Sequence, residues 1–136
     1  MKTIQALEEK LAEPSARLVD EMAELDGDIM ILGVGGKMGP SLAILAKNAI
    51  QKAGVNKNVI GVSRFSNKDT QKKLEGHGVQ TVAVDLLDDR ELQQLPSVKN
   101  IIYMVGHKFG TTGREHFTWA MNAYLPGRVA EKFRHS

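Results

Sequence analysis

The stretch from Ile29 to Pro40, which reads IMILGVGGKMGP, decides the fold of this chain. Its first residues are apolar and predict a buried β-strand, and three glycines follow at a regular spacing: Gly33, Gly36 and Gly39. Such glycines permit a sharp turn, leave bare backbone beside a ligand and let the next helix pack closely on the sheet. Because the N–H groups at the start of that helix point at the turn, the stretch predicts a cradle for a dinucleotide pyrophosphate.

The surrounding sequence matters, because a glycine triple also occurs in tight turns that bind nothing. Helical periodicity follows over residues 42–53, and further strands are predicted at about 58–63, 79–84 and 100–105. Helices are predicted between them, one capped by Ser66 with Asp69 as its partner and one opened by Asp88 and Glu91. This alternation predicts an α/β fold, a Rossmann-like doubly wound parallel sheet of at least four strands in three α/β/α layers.

The two ends of the sequence add helices to this core. Residues 1–26 are predicted to form an N-terminal helical extension of two short amphipathic helices. Residues 27–136 are predicted to form the Rossmann domain. A last helix is predicted at about 115–133, which Pro126 should kink or divide. This helix is rich in large apolar residues, namely Phe117, Trp119, Met121, Tyr124 and Phe133. Those side chains that cannot pack on the sheet would form an exposed apolar patch. Such a patch predicts docking with a further segment or self-association as a homodimer.

Composition argues against several classes of protein. The net charge is only +2 and the basic residues are dispersed, so nucleic acid is not an expected partner. No apolar run approaches the ~20 residues of a membrane span, and the four histidines lack the spacing of a metal site. The sequence has no cysteine, which excludes disulfides and cysteine nucleophiles and fits the expected cytoplasmic location.

The end of the second strand bears on which dinucleotide is bound. An NAD-selective site places Asp or Glu there to accept hydrogen bonds from the adenosine ribose, whereas this sequence has Ser63 and Arg64. An arginine fork over a 2′-phosphate, helped by the Ser63 hydroxyl, favours NADP. An exposed arginine after a strand is also commonplace, so the predicted cofactor is NAD(P) with NADP favoured. Lys37 is followed by Met38 and not by Ser or Thr, which argues against a Walker-type loop.

The glycine spacing, the pair Asp85-Leu86 after the third strand, Gly106 after the fourth and Asn122 in the last helix together resemble the extended short-chain dehydrogenase/reductase superfamily. Within it, the NAD-dependent epimerase/dehydratase group is the most similar, over about residues 27–134. The resemblance implies contacts to the pyrophosphate from Gly33, Gly36, Lys37, Met38 and Gly39. It also implies contacts to adenine from Asp85 and Leu86, and to the ribose and nicotinamide from Val105 and Gly106.

Two of these residues have equally simple structural interpretations. The resemblance implies that Asn122 helps to orient a catalytic lysine, although a solvated or capping residue fits that position too. Asp85 fits a surface turn as well as an adenine contact. Beyond the fourth strand, His107, Lys108 and Phe109 lie where a substrate could be contacted, but an ordinary polar loop would look the same.

The sequence also departs from this family. Its members use a Tyr-x-x-x-Lys pair and a Ser or Thr from a fifth strand, and this sequence has neither. Tyr103 is followed four positions later by His107, and Tyr124 by Arg128, which cannot take the place of the lysine in proton transfer. The chain therefore resembles the first half of an enzyme, truncated before its catalytic region.

Two functions remain open on these grounds. The resemblance implies an oxidoreductase, epimerase or dehydratase that acts on a nucleotide sugar or a similar hydroxyl or carbonyl substrate. That substrate would be bound through a missing C-terminal half, and this chain alone would bind the dinucleotide without turnover. The alternative is a non-enzymatic Rossmann module that senses NAD(P) or mediates protein interaction.

Overall fold

The structure, a computed structural model, describes residues 3–105 and 115–136, with only the backbone at positions 117 and 118. Its strands are β1 (Ile29–Leu32), β2 (Val59–Ser63), β3 (Gln80–Ala83) and β4 (Asn100–Tyr103). Its helices are α1 (Ile4–Leu11), α2 (Ala16–Glu24), α3 (Gly39–Ala53), α4 (Lys68–Gly76), α5 (Asp89–Gln94), α6 (Glu115–Trp119) and α7 (Leu125–Lys132). A π-helical turn (Ala120–Tyr124) joins the last two.

The four strands form one parallel sheet in the order β3-β2-β1-β4. β1 lies in the middle, with Ile29 opposite Val59 on one side and Asn100 on the other. The chain adds β2 and β3 in one direction and then returns past β1 to add β4. Such a reversal opens a crevice at the carboxyl ends of the strands. The predicted Rossmann-like, doubly wound fold with extra N-terminal helices is confirmed.

Two hydrophobic clusters cover the two faces of the sheet, and β1 contributes to both. Ile29 and Ile31 point into the cluster under α3 and α4, whereas Met30 and Leu32 point into the cluster under α5 and α7. All four side chains are at most 3% exposed. A strand that is apolar on both faces is the pattern of a sheet between two helical layers, which is what the sequence predicted. No helix in the described ranges is long and apolar enough to cross a bilayer.

The start of α4 differs from the prediction, in which Ser66 was the N-cap. Asn67 takes that place, and its side-chain oxygen accepts a hydrogen bond from the N–H of Asp69 at 3.0 Å. The reason lies in Phe65, whose φ of 49° is left-handed and which turns the chain sharply after β2. The turn therefore takes one residue more than predicted, and Ser66 is left outside the helix.

The capping pair predicted for α5 is half confirmed. The Asp88 carboxylate accepts hydrogen bonds from the N–H groups of Arg90 and Glu91. The Glu91 carboxylate does not return the bond to Asp88 and accepts the N–H of Asp85 instead. This contact links α5 to the loop after β3, and that loop lines the cavity described in the next subsection.

Two side chains, Lys57 and Asn48, hold the N-terminal helices to the sheet layer through long-range hydrogen bonds to backbone carbonyls. The Lys57 ammonium donates to the carbonyls of Met22, at 2.6 Å, and Leu25, which close the end of α2. The Asn48 side chain on α3 donates to the carbonyl of Ala12 at 2.9 Å. Because a cation near a helix C-terminus also interacts favourably with the helix dipole, Lys57 is the stronger of the two anchors.

We therefore expect Lys57→Met to lower the free energy of unfolding by about 1–3 kcal/mol, because hydrogen bonds from a charged donor contribute on that order. The methionine keeps most of the apolar stem and removes the donor. Urea denaturation followed by circular dichroism measures the change. Lys72→Met is the matched control, since Lys72 is exposed and makes no hydrogen bond to any residue the structure describes. Equal losses in both variants would contradict the anchoring role.

Candidate functional site

A cavity of about 360 Å³ lies at the carboxyl ends of the strands, where the strand order reverses. Its walls come from the turn after β1, the segment between β2 and α4, the loop after β3, the residues after β4 and the start of α7. Seven residues predicted to bind cofactor meet here: Gly33, Gly36, Ser63, Arg64, Asp85, Leu86 and Val105. Segments far apart in sequence are thus brought together as the predicted dinucleotide site requires.

The remaining predicted residues of the glycine stretch lie beside the cavity and do not line it. Lys37 and Met38 are on the exposed side of the turn, and the Met38 side chain is 72% exposed. Gly39 is buried as the first residue of α3. Helix α3 begins without a side-chain cap, so its first N–H groups are left for solvent or a ligand. Gly106, with His107, Lys108 and Phe109, lies outside the described residues.

Two of the three spaced glycines are required by the protein itself. Gly33 has a φ of +83°, and a Cβ there would lie 2.7 Å from the Cγ2 atom of Val105. A Cβ at Gly39 would lie 2.1 Å from the carbonyl oxygen of Val34. The first glycine therefore makes the turn, and the last lets the start of α3 pack against the backbone of Val34 within that turn.

Gly36 is different, because nothing in the described protein demands a glycine there. A Cβ built on Gly36 would meet no atom closer than the Gly33 carbonyl oxygen at 3.7 Å, and its φ is not in the left-handed range. The residue nevertheless lines the cavity. A side chain at Gly36 is therefore compatible with the fold although the residue borders the cavity, which is the arrangement expected where a ligand approaches bare backbone.

The segment after β2 forms the polar side of the cavity. The Ser63 hydroxyl oxygen accepts the N–H of Phe65 at 3.2 Å, which leaves the hydroxyl proton able to donate elsewhere. Arg64 is exposed, and its guanidinium has no ion pair or hydrogen bond with any residue in the described ranges. An arginine without an internal partner at this edge can bind an anion at little cost to the fold.

Asp85 is the single acidic residue among the described lining residues. One of its carboxylate oxygens accepts the N–H of Leu87 at 3.0 Å, which closes a local turn. The other oxygen has no partner within the described part of the chain. Asp85 is therefore a turn residue that retains one oxygen able to accept a hydrogen bond from a ligand.

The π-helical turn and the start of α7 supply part of the apolar side, through Met121 and Leu125. The Tyr103 hydroxyl donates to the Met121 carbonyl at 3.0 Å. Burial raises the pKa of Tyr103 above its ordinary value of 10.0, so the hydroxyl keeps its proton at neutral pH. Asn122, on the same turn, is exposed and is not part of the lining.

Sequence reasoning missed ten lining residues: Gly35, Phe65, Ser66, Asn67, Thr70, Val84, Leu87, Met104, Met121 and Leu125. Signals existed for some of them. Gly35 adjoins Gly36, and a Cβ there would lie 2.6 Å from the Ser63 hydroxyl oxygen. Ser66, Asn67 and Thr70 are polar residues within six positions of Arg64, and of these only Ser66 was given a role, as a helix cap. Met121 and Leu125 carried no local signal, because they reach the cavity through the packing of a distant helix.

The aromatic residues of the last helices divide as predicted between the core and the surface. Phe133 is 9% exposed and belongs to the cluster under α5 and α7. Trp119 and Tyr124 stack on each other with ring centroids 5.6 Å apart and remain exposed. Arg128, four residues after Tyr124, pairs with Asp89 on α5. Tyr124 and Arg128 therefore do not form a proton-transfer pair.

A larger groove, of about 1140 Å³, lies between α1 and α3. It contains none of the predicted cofactor residues and lies away from the carboxyl ends of the strands, so the smaller cavity is the candidate site. In the described ranges, no cluster of three or more His, Asp or Glu side chains is arranged to hold a metal ion. No protein-family model matches this sequence, and no curated protein matches it significantly.

Proposed function

We propose that this chain binds a nicotinamide dinucleotide across the carboxyl ends of its strands, with NADP favoured over NAD. The observation that carries the proposal is Gly36, whose bare backbone borders the cavity although no described neighbour requires it. The uncapped start of α3 supports it further, because free N–H groups at a helix N-terminus suit a pyrophosphate.

The two sides of the cavity suit different parts of the ligand. Gly33, Gly36 and the start of α3 would bind the pyrophosphate, with Lys37 and Met38 beside it. Ser63 and the unpaired Arg64 would bind the 2′-phosphate of NADP. The apolar side would hold the adenine ring beside Asp85 and Leu86, with Val105 on the side of the ribose and nicotinamide. The cavity is at the small end of the roughly 300–1,000 Å³ range of ligand sites, so the nicotinamide would extend past it.

For the whole activity, we propose the dinucleotide-binding portion of an epimerase/dehydratase-like oxidoreductase. Its substrate would be a nucleotide sugar or a similar hydroxyl or carbonyl compound in the cytoplasm, bound with groups from outside this sequence. The sequence contains no Tyr-x-x-x-Lys pair, and Arg128 is held by Asp89. We therefore expect binding without turnover. The same absence favours the second candidate, a non-enzymatic Rossmann module that senses NAD(P) or mediates protein interaction.

Calorimetric titration of the chain with NADP and with NAD tests the binding proposal. We expect one saturable site and an affinity for NADP at least about tenfold higher, which corresponds to ~1.4 kcal/mol. A thermal shift with each ligand is the second readout, since a ligand that binds the folded state raises its stability. No saturation by either dinucleotide in both measurements would overturn the proposal. Steady NADPH oxidation by this chain with carbonyl substrates would contradict the expectation of binding without turnover.

A further inference from the structure

The π-helical turn leaves the Met121 carbonyl outside the helical hydrogen-bond pattern. The N–H of Leu125, which an α-helix would direct to Met121, donates to Ala120 instead. The next donor along the ladder would be the N–H of residue 126, and Pro126 has none. Both helical patterns therefore bypass the Met121 carbonyl. A buried or half-buried carbonyl needs another donor, because leaving it unsatisfied is costly.

Tyr103 supplies that donor from the neighbouring strand. Its hydroxyl lies 3.0 Å from the Met121 oxygen and joins the edge strand β4 to a turn much later in the chain. Tyr103 does not line the cavity, but the turn it holds does, through Met121 and then Leu125, which is 1% exposed. The position of this cavity wall relative to the sheet thus depends on the hydroxyl of Tyr103.

The wall lies on the apolar side of the cavity. The neighbouring lining residues there are Val84, Leu86, Met104 and Val105, whereas the polar residues come from the segment between β2 and α4. A flat apolar ring fits between such side chains, and the flexible thioether of Met121 can adapt to its face. A dinucleotide has two flat rings, and the adenine ring is the one attached to the ribose whose 2′-phosphate is proposed to bind Ser63 and Arg64 in the same cavity.

We propose that Tyr103 is a positioning residue of the dinucleotide site, whose hydroxyl fixes the π-helical turn so that Met121 and Leu125 close the apolar side around the adenine ring. This inference rests on the proposed function. It assigns a role in binding to a tyrosine that touches no ligand. It also explains why the Tyr103 hydroxyl lies beside a carbonyl for which Pro126 has no N–H donor.

The first test is Tyr103→Phe, which keeps the ring and removes the hydroxyl. We expect the affinity for NADP to fall about threefold to tenfold, the range that one hydrogen bond gives. The affinity for 2′,5′-ADP, which has the adenine end alone, should fall by the same factor. Lys57→Met is the control for a merely structural role, because it acts at the N-terminal helices and should leave both affinities unchanged.

The second test removes the wall side chain through which the hydroxyl is proposed to act. In a Met121→Ala background, adding Tyr103→Phe should lower the affinity by a smaller factor than it does in the unmodified chain, because the two residues act through one wall. If Tyr103→Phe alone does not fold, Met121→Ala alone should still weaken the binding of NADP and of 2′,5′-ADP. An equal loss in both backgrounds, wild-type affinity in Tyr103→Phe or wild-type affinity in Met121→Ala would overturn the positioning role while the binding proposal stands. Failure of the wild-type chain to bind either ligand would overturn both.

Discussion

Gly36→Ala should weaken dinucleotide binding by at least about tenfold and change the free energy of unfolding by no more than ~0.5 kcal/mol. The new methyl group would have no protein atom nearer than 3.7 Å, so the fold has room for it. In the complex, the same methyl group would occupy space that the pyrophosphate needs beside the backbone. Calorimetric titration with NADP and urea denaturation of the same preparation measure the two quantities separately.

Gly39→Ala is the matched variant, and we expect the opposite result. Its methyl group would lie 2.1 Å from the carbonyl oxygen and 2.6 Å from the carbonyl carbon of Val34, and neither backbone atom can rotate away. The start of α3 would have to move away from the Val34 backbone, which should cost at least ~3 kcal/mol of stability. Normal NADP affinity in Gly36→Ala would contradict the pyrophosphate site. Equal stability losses in the two variants would contradict the division of roles between the glycines.

Arg64→Asp should reverse the preference between the two dinucleotides. Hydrogen bonds to a charged group contribute about 1.5–3 kcal/mol, so the affinity for NADP should fall roughly tenfold to hundredfold. The introduced carboxylate would repel a 2′-phosphate and could accept hydrogen bonds from the free ribose hydroxyls of NAD. The ratio of the two dissociation constants, measured by titration at one ionic strength, is the quantity to compare with the unmodified chain.

Arg90→Asp is the control for the change in net charge. Arg90 is also exposed, but it lies on α5 and does not line the cavity. Its replacement should alter both affinities slightly and by similar factors, because a distant exposed charge is screened by salt. If Arg64→Asp leaves the NADP/NAD ratio unchanged, the assignment of Arg64 to the 2′-phosphate is wrong.

Much of the fold was predictable, because its signals are local. The apolar run of Ile29–Leu32, the glycines after it and the helical periodicity that follows all lie within a short stretch. The alternation of such units then restricts the topology, since parallel strands need crossovers of one hand. Even the division of the last helix followed from one residue, Pro126, whose missing N–H acts at any position in a helix interior.

The candidate site was predictable to the extent that it sits where strands end. Gly33, Ser63, Asp85 and Val105 each follow or end a predicted strand, and the parallel sheet brings those ends to one edge. The error at Ser66 shows the limit of such reasoning. Two neighbouring polar residues could each cap α4, and the left-handed turn at Phe65 decided between them.

The sequence by itself determined the strand-turn-helix unit at Gly33, the order of elements and the residue types at the strand ends, because these depend on chain-local conformational preferences. The tertiary structure decided which distant groups meet. The Tyr103 hydroxyl donates to the carbonyl of Met121, a residue of the cavity lining 18 positions later, and the Lys57 ammonium donates to carbonyls at the end of α2. Such contacts join residues without a fixed separation along the chain, so no periodicity or motif encodes them.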